Sequence, residues 1–110
     1  MDKAVALSSV QRFSESVRAV FDPVMVILFG SYAEGTQTDS SDIDVAVIVD
    51  HIEGDFLDQE ARLYSIRREI DDRIEPVLLE NDEDRSGFLQ SIQNNGEIVY
   101  KRDAYKELRK

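Results

Sequence analysis

The stretch LFGSYAEGTQTDSSDIDVAVIVD, Leu28 to Asp50, decides the reading of this chain. An apolar run ends at Gly30-Ser31, ten small or polar residues follow, and Asp42-Ile43-Asp44 opens a second apolar run. The residues of a strand alternate between faces, so Asp42 and Asp44 project from one face, roughly 7 Å apart, while Ile43 and Val45 turn to the other. Two carboxylates that close repel unless a proton or a cation lies between them. Mg²⁺ takes one or two carboxylates together with phosphate oxygens and waters, which a same-face pair of this kind supplies. Gly30 follows the first apolar run directly, where a residue without Cβ lets the backbone turn sharply and approach a ligand. If Ser31 begins a short helix, its free N–H groups point at an arriving anion and its hydroxyl donates one hydrogen bond more. Adjacent strands then set an anion-binding turn opposite a cation-binding pair.

Working outward, Val5, Leu7, Val10, Phe13, Val17, Val20 and Phe21 recur near the helical period, predicting a helix over 3–21 that Asp22-Pro23 stops. Val24–Phe29 has no polar residue, as expected of a strand covered on both faces. Phe56, Leu57, Leu63, Ile66 and Ile70 predict a second long helix over 56–71 with Asp55 as its cap. Residues 73–80 read as a third strand, and Pro76 within it requires an edge position or a bulge. Phe88, Leu89 and Ile92 sit on a short helix ended by Asn94-Asn95-Gly96, with Gly96 as the C-cap. Glu97–Tyr100 is either a brief strand or an extended arm, residues 81–87 are a loop, and the last ten residues read as helical. The fold class is α/β (α+β): a small mixed sheet of three to five strands flanked by helices, in a single domain over residues 1–110.

Composition narrows the function. A 42% apolar content excludes a disordered chain. The net charge of −10, from 23 acids against 13 bases, opposes nucleic-acid binding by this chain alone, because phosphate backbones are held by Lys and Arg. The carboxy-terminal KRDAYKELRK reverses that balance and reads as a solvated helix end with favourable dipole placement, with a partner-docking face as the alternative. With no cysteine, disulfides, thiolate metal sites and cysteine nucleophiles are excluded. No signal peptide is visible and no apolar run reaches the length of a membrane span, so a cytoplasmic protein without a membrane partner is expected.

Other motifs fail. The Gly30-x4-Gly35 frame of a P-loop is followed by Thr36-Gln37 where Lys and then Ser or Thr are needed. An EF-hand loop starting at Asp42 would put Ala46 and Val47 where a ligand and a glycine belong. Asp39, Asp50 and the lone His51 read as loop residues; Tyr64, Tyr100 and Tyr105 read as packing aromatics.

Gly30-Ser31, ten residues, then Asp42-x-Asp44 at the head of an apolar strand resembles the signature of the DNA polymerase β-like nucleotidyltransferase superfamily. The short chain is similar to its minimal members, the MNT proteins, which are often partnered with HEPN-domain proteins. VDHIEGDFLD, RREIDDRIEPVLLE and SGFLQSI extend the resemblance over most of residues 24–100. The resemblance implies a Mg²⁺-dependent transfer of a nucleoside monophosphate from an NTP, ATP foremost, to an acceptor hydroxyl. Gly30, Ser31 and Tyr32 would hold the nucleotide. Asp42 and Asp44 would ligate one or two Mg²⁺ ions. The family's third carboxylate, on a following strand, falls on Glu75, with Glu80 as the other acid of that strand. The acceptor would belong to a HEPN-domain partner, as in a toxin–antitoxin pair, to a second copy of the chain, or to a small molecule. Where the family often has a basic residue after Gly-Ser, this chain has Tyr32 and Glu34, and it has Glu75 where Asp is common. These departures keep open an alternative, a catalytically silent module that binds and neutralises a partner.

Overall fold

The computed structural model describes residues 2–81 and 87–102. In chain order the elements are α1 (Lys3–Phe21), β1 (Met25–Phe29), α2 (Ser31–Glu34), β2 (Ile43–Val49), α3 (Phe56–Arg68), β3 (Ile74–Glu80), α4 (Phe88–Asn95) and β4 (Glu97–Lys101). The expected helix over 3–21 thus matches its bounds. The Asp2 carboxylate accepts from the Val5 N–H at 3.0 Å to start α1. Asp22 ends it in the left-handed region at φ 48° before Pro23. Asp55 caps α3 as expected, accepting from the N–H groups of Leu57 and Asp58.

The four strands form one mixed sheet in the order β3-β2-β1-β4. β1 runs antiparallel to both β2 and β4, whereas β2 and β3 are parallel and joined through α3. That right order of connections follows from chain length: an antiparallel neighbour needs only a loop, but a parallel one needs a crossover. Pro76 sits on β3, the edge strand, where its missing N–H breaks no ladder between two neighbours. Glu97–Lys101 resolves as the other edge strand.

Each face of the sheet has its own core. Val26, Leu28, Ile43, Val45, Val47, Val49, Ile74 and Leu78 face Ala6, Val10, Phe13 and Val17 of α1 and Leu63 of α3. On the opposite face Met25, Ile27, Ala46 and Ile48 pack with Leu89 and Ile92 of α4. β1 is therefore covered on both sides, as its unbroken apolar run requires.

Gly96 is the C-cap of α4 as expected, in extended rather than left-handed backbone: its φ is −90° and its ψ −179°, and its N–H donates to the Ile92 carbonyl at 2.7 Å. Glycine is needed there for space, since a Cβ would lie 2.6 Å from the Ile92 carbonyl and 2.7 Å from Ile27 Cγ2. The helix expected over the last ten residues is corrected at its start: Lys101 belongs to β4, and Arg102 is no solvated helix end. Its guanidinium donates to the Asp50 carboxylate at 2.6 Å and to the Asp22 carboxylate at 3.2 Å, tying the end of β4 to the ends of β2 and α1. Residues 103–110 and 82–86, where a helix and part of a loop are expected, lie outside the described residues.

A second tie joins α1 to the start of β3. The Ser9 hydroxyl donates to the Asp71 carboxylate at 3.0 Å, and Arg73 holds the other side of it through Nε at 3.1 Å. Burial acts to raise the Asp71 carboxyl, but the hydrogen bonds from Arg73 and Ser9 outweigh it and hold the group below its ordinary value of 3.8. A lowered carboxyl stabilises the fold fully above that ordinary value, and the contribution is lost as pH falls through the lowered one. Asp71→Asn is expected to cost about 1 kcal/mol near neutrality, from the altered Ser9 bond. Urea unfolding should show that deficit shrinking below pH 3.8, where wild type loses the same advantage.

Tyr32 is 1% exposed within the larger core, and its hydroxyl meets no hydrogen-bond partner among the described residues. Tyr32→Phe removes a buried unsatisfied group and is expected to raise stability by about 1 kcal/mol in denaturant unfolding.

Candidate active site

The acids sit at the start of β2 and β3. Register does the positioning: Phe29 of β1 pairs with Asp44 of β2, and Asp44 pairs with Glu75 of β3. Directly paired residues project on the same side of a sheet, so Asp44 and Glu75 stand side by side on the face that carries Ala46 and Ile48. Ile43, Val45 and Ile74 on either side of them are buried in the opposite core, which fixes the alternation. Asp42 is exposed just before β2, at the end of a loop held by the Thr38 N–H donating to Ser41 Oγ at 2.8 Å.

Gly30 closes β1 onto this pair. Its φ of 74° and ψ of −151° belong to a region that only glycine occupies without strain. A Cβ added there would lie 2.3 Å from Asp44 Oδ2, so the turn lies directly against the carboxylate. Ser31 begins α2, and the Gly30 carbonyl accepts from the N–H groups of Ala33 and Glu34 at 3.1 Å each. The first N–H groups of such a turn have no partner within it. The turn expected to meet an anion and the pair expected to meet a cation are therefore adjacent.

The Asp44 carboxyl is raised above its ordinary value, first by burial and then by the charges of Asp42 and Glu75. Three acids thus act on one spot, and an oxygen-only donor set suits Mg²⁺. Among the described residues no three His, Asp or Glu side chains form a ready-made metal cage. Mg²⁺ uses one or two carboxylates and takes its remaining oxygens from substrate and water, and the paired carboxylates of Asp44 and Glu75 match it in donor type. By this test the residues present fit the ion.

Glu75, not Glu80, stands beside Asp44. Glu80 lies opposite Val49 at the far end of the ladder and accepts from the Ile52 N–H at 2.9 Å, a structural tie. Tyr32 is next to Ser31 but its ring is core, which leaves its backbone rather than its side chain to a ligand. Glu34 is exposed and lines a groove of about 170 Å³ with Phe29, Gly30, Phe88, Ser91 and Asn95. A separate cavity of about 140 Å³ around His51 and Arg62 lies at the other end of β2, away from the acids.

One site residue escaped the sequence reading. Tyr64, placed among the packing aromatics, donates its hydroxyl to Glu75 Oε2 at 3.2 Å. Helical spacing cannot reveal this contact, because it depends on the register of a strand that follows in the chain.

Gly30→Ala is expected to cost about 1–3 kcal/mol through backbone strain. Because its methyl displaces Asp44, it should also abolish nucleotide binding in protein that calorimetry shows to be folded.

Comparison with known proteins adds the family. The family model described as Polymerase beta, Nucleotidyltransferase matches residues 11–105. An inferred protein adenylyltransferase of Methanocaldococcus jannaschii is 30% identical over 118 aligned residues, which cover 96% of this chain and 78% of that protein. A crystal structure of an inferred nucleotidyltransferase from Sulfolobus solfataricus superposes with a TM-score of 0.67 over 92% of this chain and 85% of the other, at 22% identity, and shares the fold. The mixed sheet, its flanking helices and the match over residues 11–105 have one meaning: the chain belongs to the polymerase β nucleotidyltransferase family and is a nucleotidyltransferase.

Proposed function

We propose that the chain is a cytoplasmic, Mg²⁺-dependent adenylyltransferase that moves AMP from ATP to a hydroxyl on a partner protein. The observation that carries the proposal is the contact of the Gly30 turn with Asp44, with Glu75 in register beside it. The name of the Methanocaldococcus jannaschii relative supports ATP as donor and protein as acceptor. The family resemblance supports a HEPN-domain protein as that acceptor, with this chain as the antitoxin of the pair.

In this reading the Gly30-Ser31 turn holds the triphosphate through backbone N–H groups and the Ser31 hydroxyl. Asp42, Asp44 and Glu75 would hold Mg²⁺, which would supply positive charge to offset that of the phosphates. The acceptor hydroxyl oxygen attacks the α-phosphorus, the bond from that phosphorus to the bridging oxygen of the β-phosphate breaks, and pyrophosphate leaves. The hydroxyl proton passes to the Glu75 carboxylate or through it to water. Held substrates lower the barrier chiefly by orientation.

The test is to incubate the chain with Mg²⁺, ATP labelled at the α-phosphate, and either a co-encoded HEPN-domain protein or cell lysate. One acceptor protein should become labelled, and ATP labelled at the γ-phosphate should leave it unlabelled. Asp44→Asn should lower the labelling rate about 100-fold or more. Label from the γ-position, or equal labelling by Asp44→Asn, would refute the reading. Label that appears only on small molecules would move the acceptor to that class.

A further inference from the structure

Glu75 is the acid of the site with a neutral hydrogen-bond donor, and that donor comes from another element. Tyr64 lies on α3, which packs against the face of the sheet opposite the acids. β3 is the edge strand, so the phenol meets the Glu75 carboxylate across that edge, Oη to Oε2 at 3.2 Å. The ring is itself fixed. One turn further along α3, the Arg67 guanidinium lies over it at 4.9 Å from the ring centre. Arg67 in turn donates to the backbone carbonyls of Asp72 and Ile74, the latter at 3.4 Å, immediately before Glu75. Helix, ring, guanidinium and strand thus close a loop of contacts around a single carboxylate.

We propose that Tyr64 is a positioning residue of the transferase site: its hydroxyl holds one oxygen of Glu75 and leaves the other for the metal and the acceptor. The inference rests on the reading of Asp44 and Glu75 given above. The physical need is clear. A free Glu side chain has three rotatable bonds, and ordering them has an entropic cost when a ligand arrives. A donor that fixes the carboxylate beforehand removes part of that cost, as outer contacts do for metal ligands in general. The departure from Asp to the longer Glu at this position makes such a restraint more useful, since one more bond must be fixed. A phenol also holds the carboxylate without adding a positive charge that would compete with a cation.

Tyr64→Phe removes the hydroxyl alone and keeps the ring beneath Arg67. Mn²⁺ is titrated calorimetrically into the full chain in the presence of adenosine 5′-(α,β-methylene)triphosphate, for wild type, Tyr64→Phe, Glu75→Ala, the double variant and Asp44→Asn. Tyr64→Phe should weaken Mn²⁺ binding about 10-fold, with a melting temperature close to wild type. In the Glu75→Ala background the same change should have no further effect, because the restrained group is gone. Additive losses in the double variant, or Mn²⁺ binding by Tyr64→Phe equal to wild type, would overturn the inference while leaving the site standing, provided Asp44→Asn has lost Mn²⁺. Mn²⁺ binding by Asp44→Asn equal to wild type would refute the site itself and this inference with it.

Discussion

The pairing of Asp44 with Phe29 on one side and with Glu75 on the other governs what this chain can do. β2 takes an antiparallel neighbour and a parallel one, and the two connections deliver different things to the same row of the sheet. The antiparallel partner ends there, so the chain must turn at Gly30, against the Asp44 carboxylate. The parallel partner begins there, so Glu75 arrives at the head of its strand rather than in the middle of a ladder. A slip of one residue in either pairing would send Asp44 or Glu75 into the core and put Ile43 or Ile74 in their place. The buried faces of Ile43, Val45 and Ile74 therefore hold the register, and the register holds the acids together.

Charge explains why such an arrangement stands out within an acidic chain. Elsewhere three half-buried acids have donors: Asp71 has Ser9 and Arg73, Glu80 has the Ile52 N–H, and Glu97 has Lys3 at 2.9 Å. Exposed Asp2 and Asp55 cap helices, and Asp50 meets Arg102. Among the described residues no cation is paired with Asp42, Asp44 or Glu75, although Asp44 is half-buried and raised by both neighbours. Setting these three beside one another stores a local repulsion. A bound cation relieves that repulsion, and the ordering of Glu75 by Tyr64 keeps it directed at one place.

Much of this was readable before any coordinates. The helical period over residues 3–21, the alternation around Ile43 and the meaning of Pro76 each rest on short-range rules, and each holds. The third strand was equally legible, and its register puts Glu75 beside Asp44 and Glu80 at the far end. What sequence did not disclose depends on contacts between distant segments. Gly96 reads as a helix terminator and is one, but sequence does not show that a side chain there would meet both the Ile92 carbonyl and β1. Tyr32 looks available beside the loop, yet it fills the core beneath it. Arg102 sits in a basic tail but serves two acids 80 and 52 residues away. Tyr64 lies eleven residues before Glu75, and only the crossover through α3 makes them neighbours.

The two faces of the sheet divide the work. One is closed by α1 and α3 over a continuous core of Val, Ile, Leu and Phe, where each fully buried side chain contributes roughly 1.5–3 kcal/mol. The other carries a smaller core in which α4 packs with β1 and β2 and leaves Asp44 and Glu75 half-buried. Carboxylates under a third helix would be desolvated without water or substrate to compensate them, and their cost would exceed what the remaining apolar contacts return. Leaving that strip open keeps the acids accessible, while the closed face supplies the stability that holds their strands in place. Tyr64 links the halves, since it is rooted in the helix of the closed face and its hydroxyl reaches an acid of the open one. Stability and chemistry are coupled through that edge, so changes in how α3 packs are transmitted to the Glu75 carboxylate without touching the sheet.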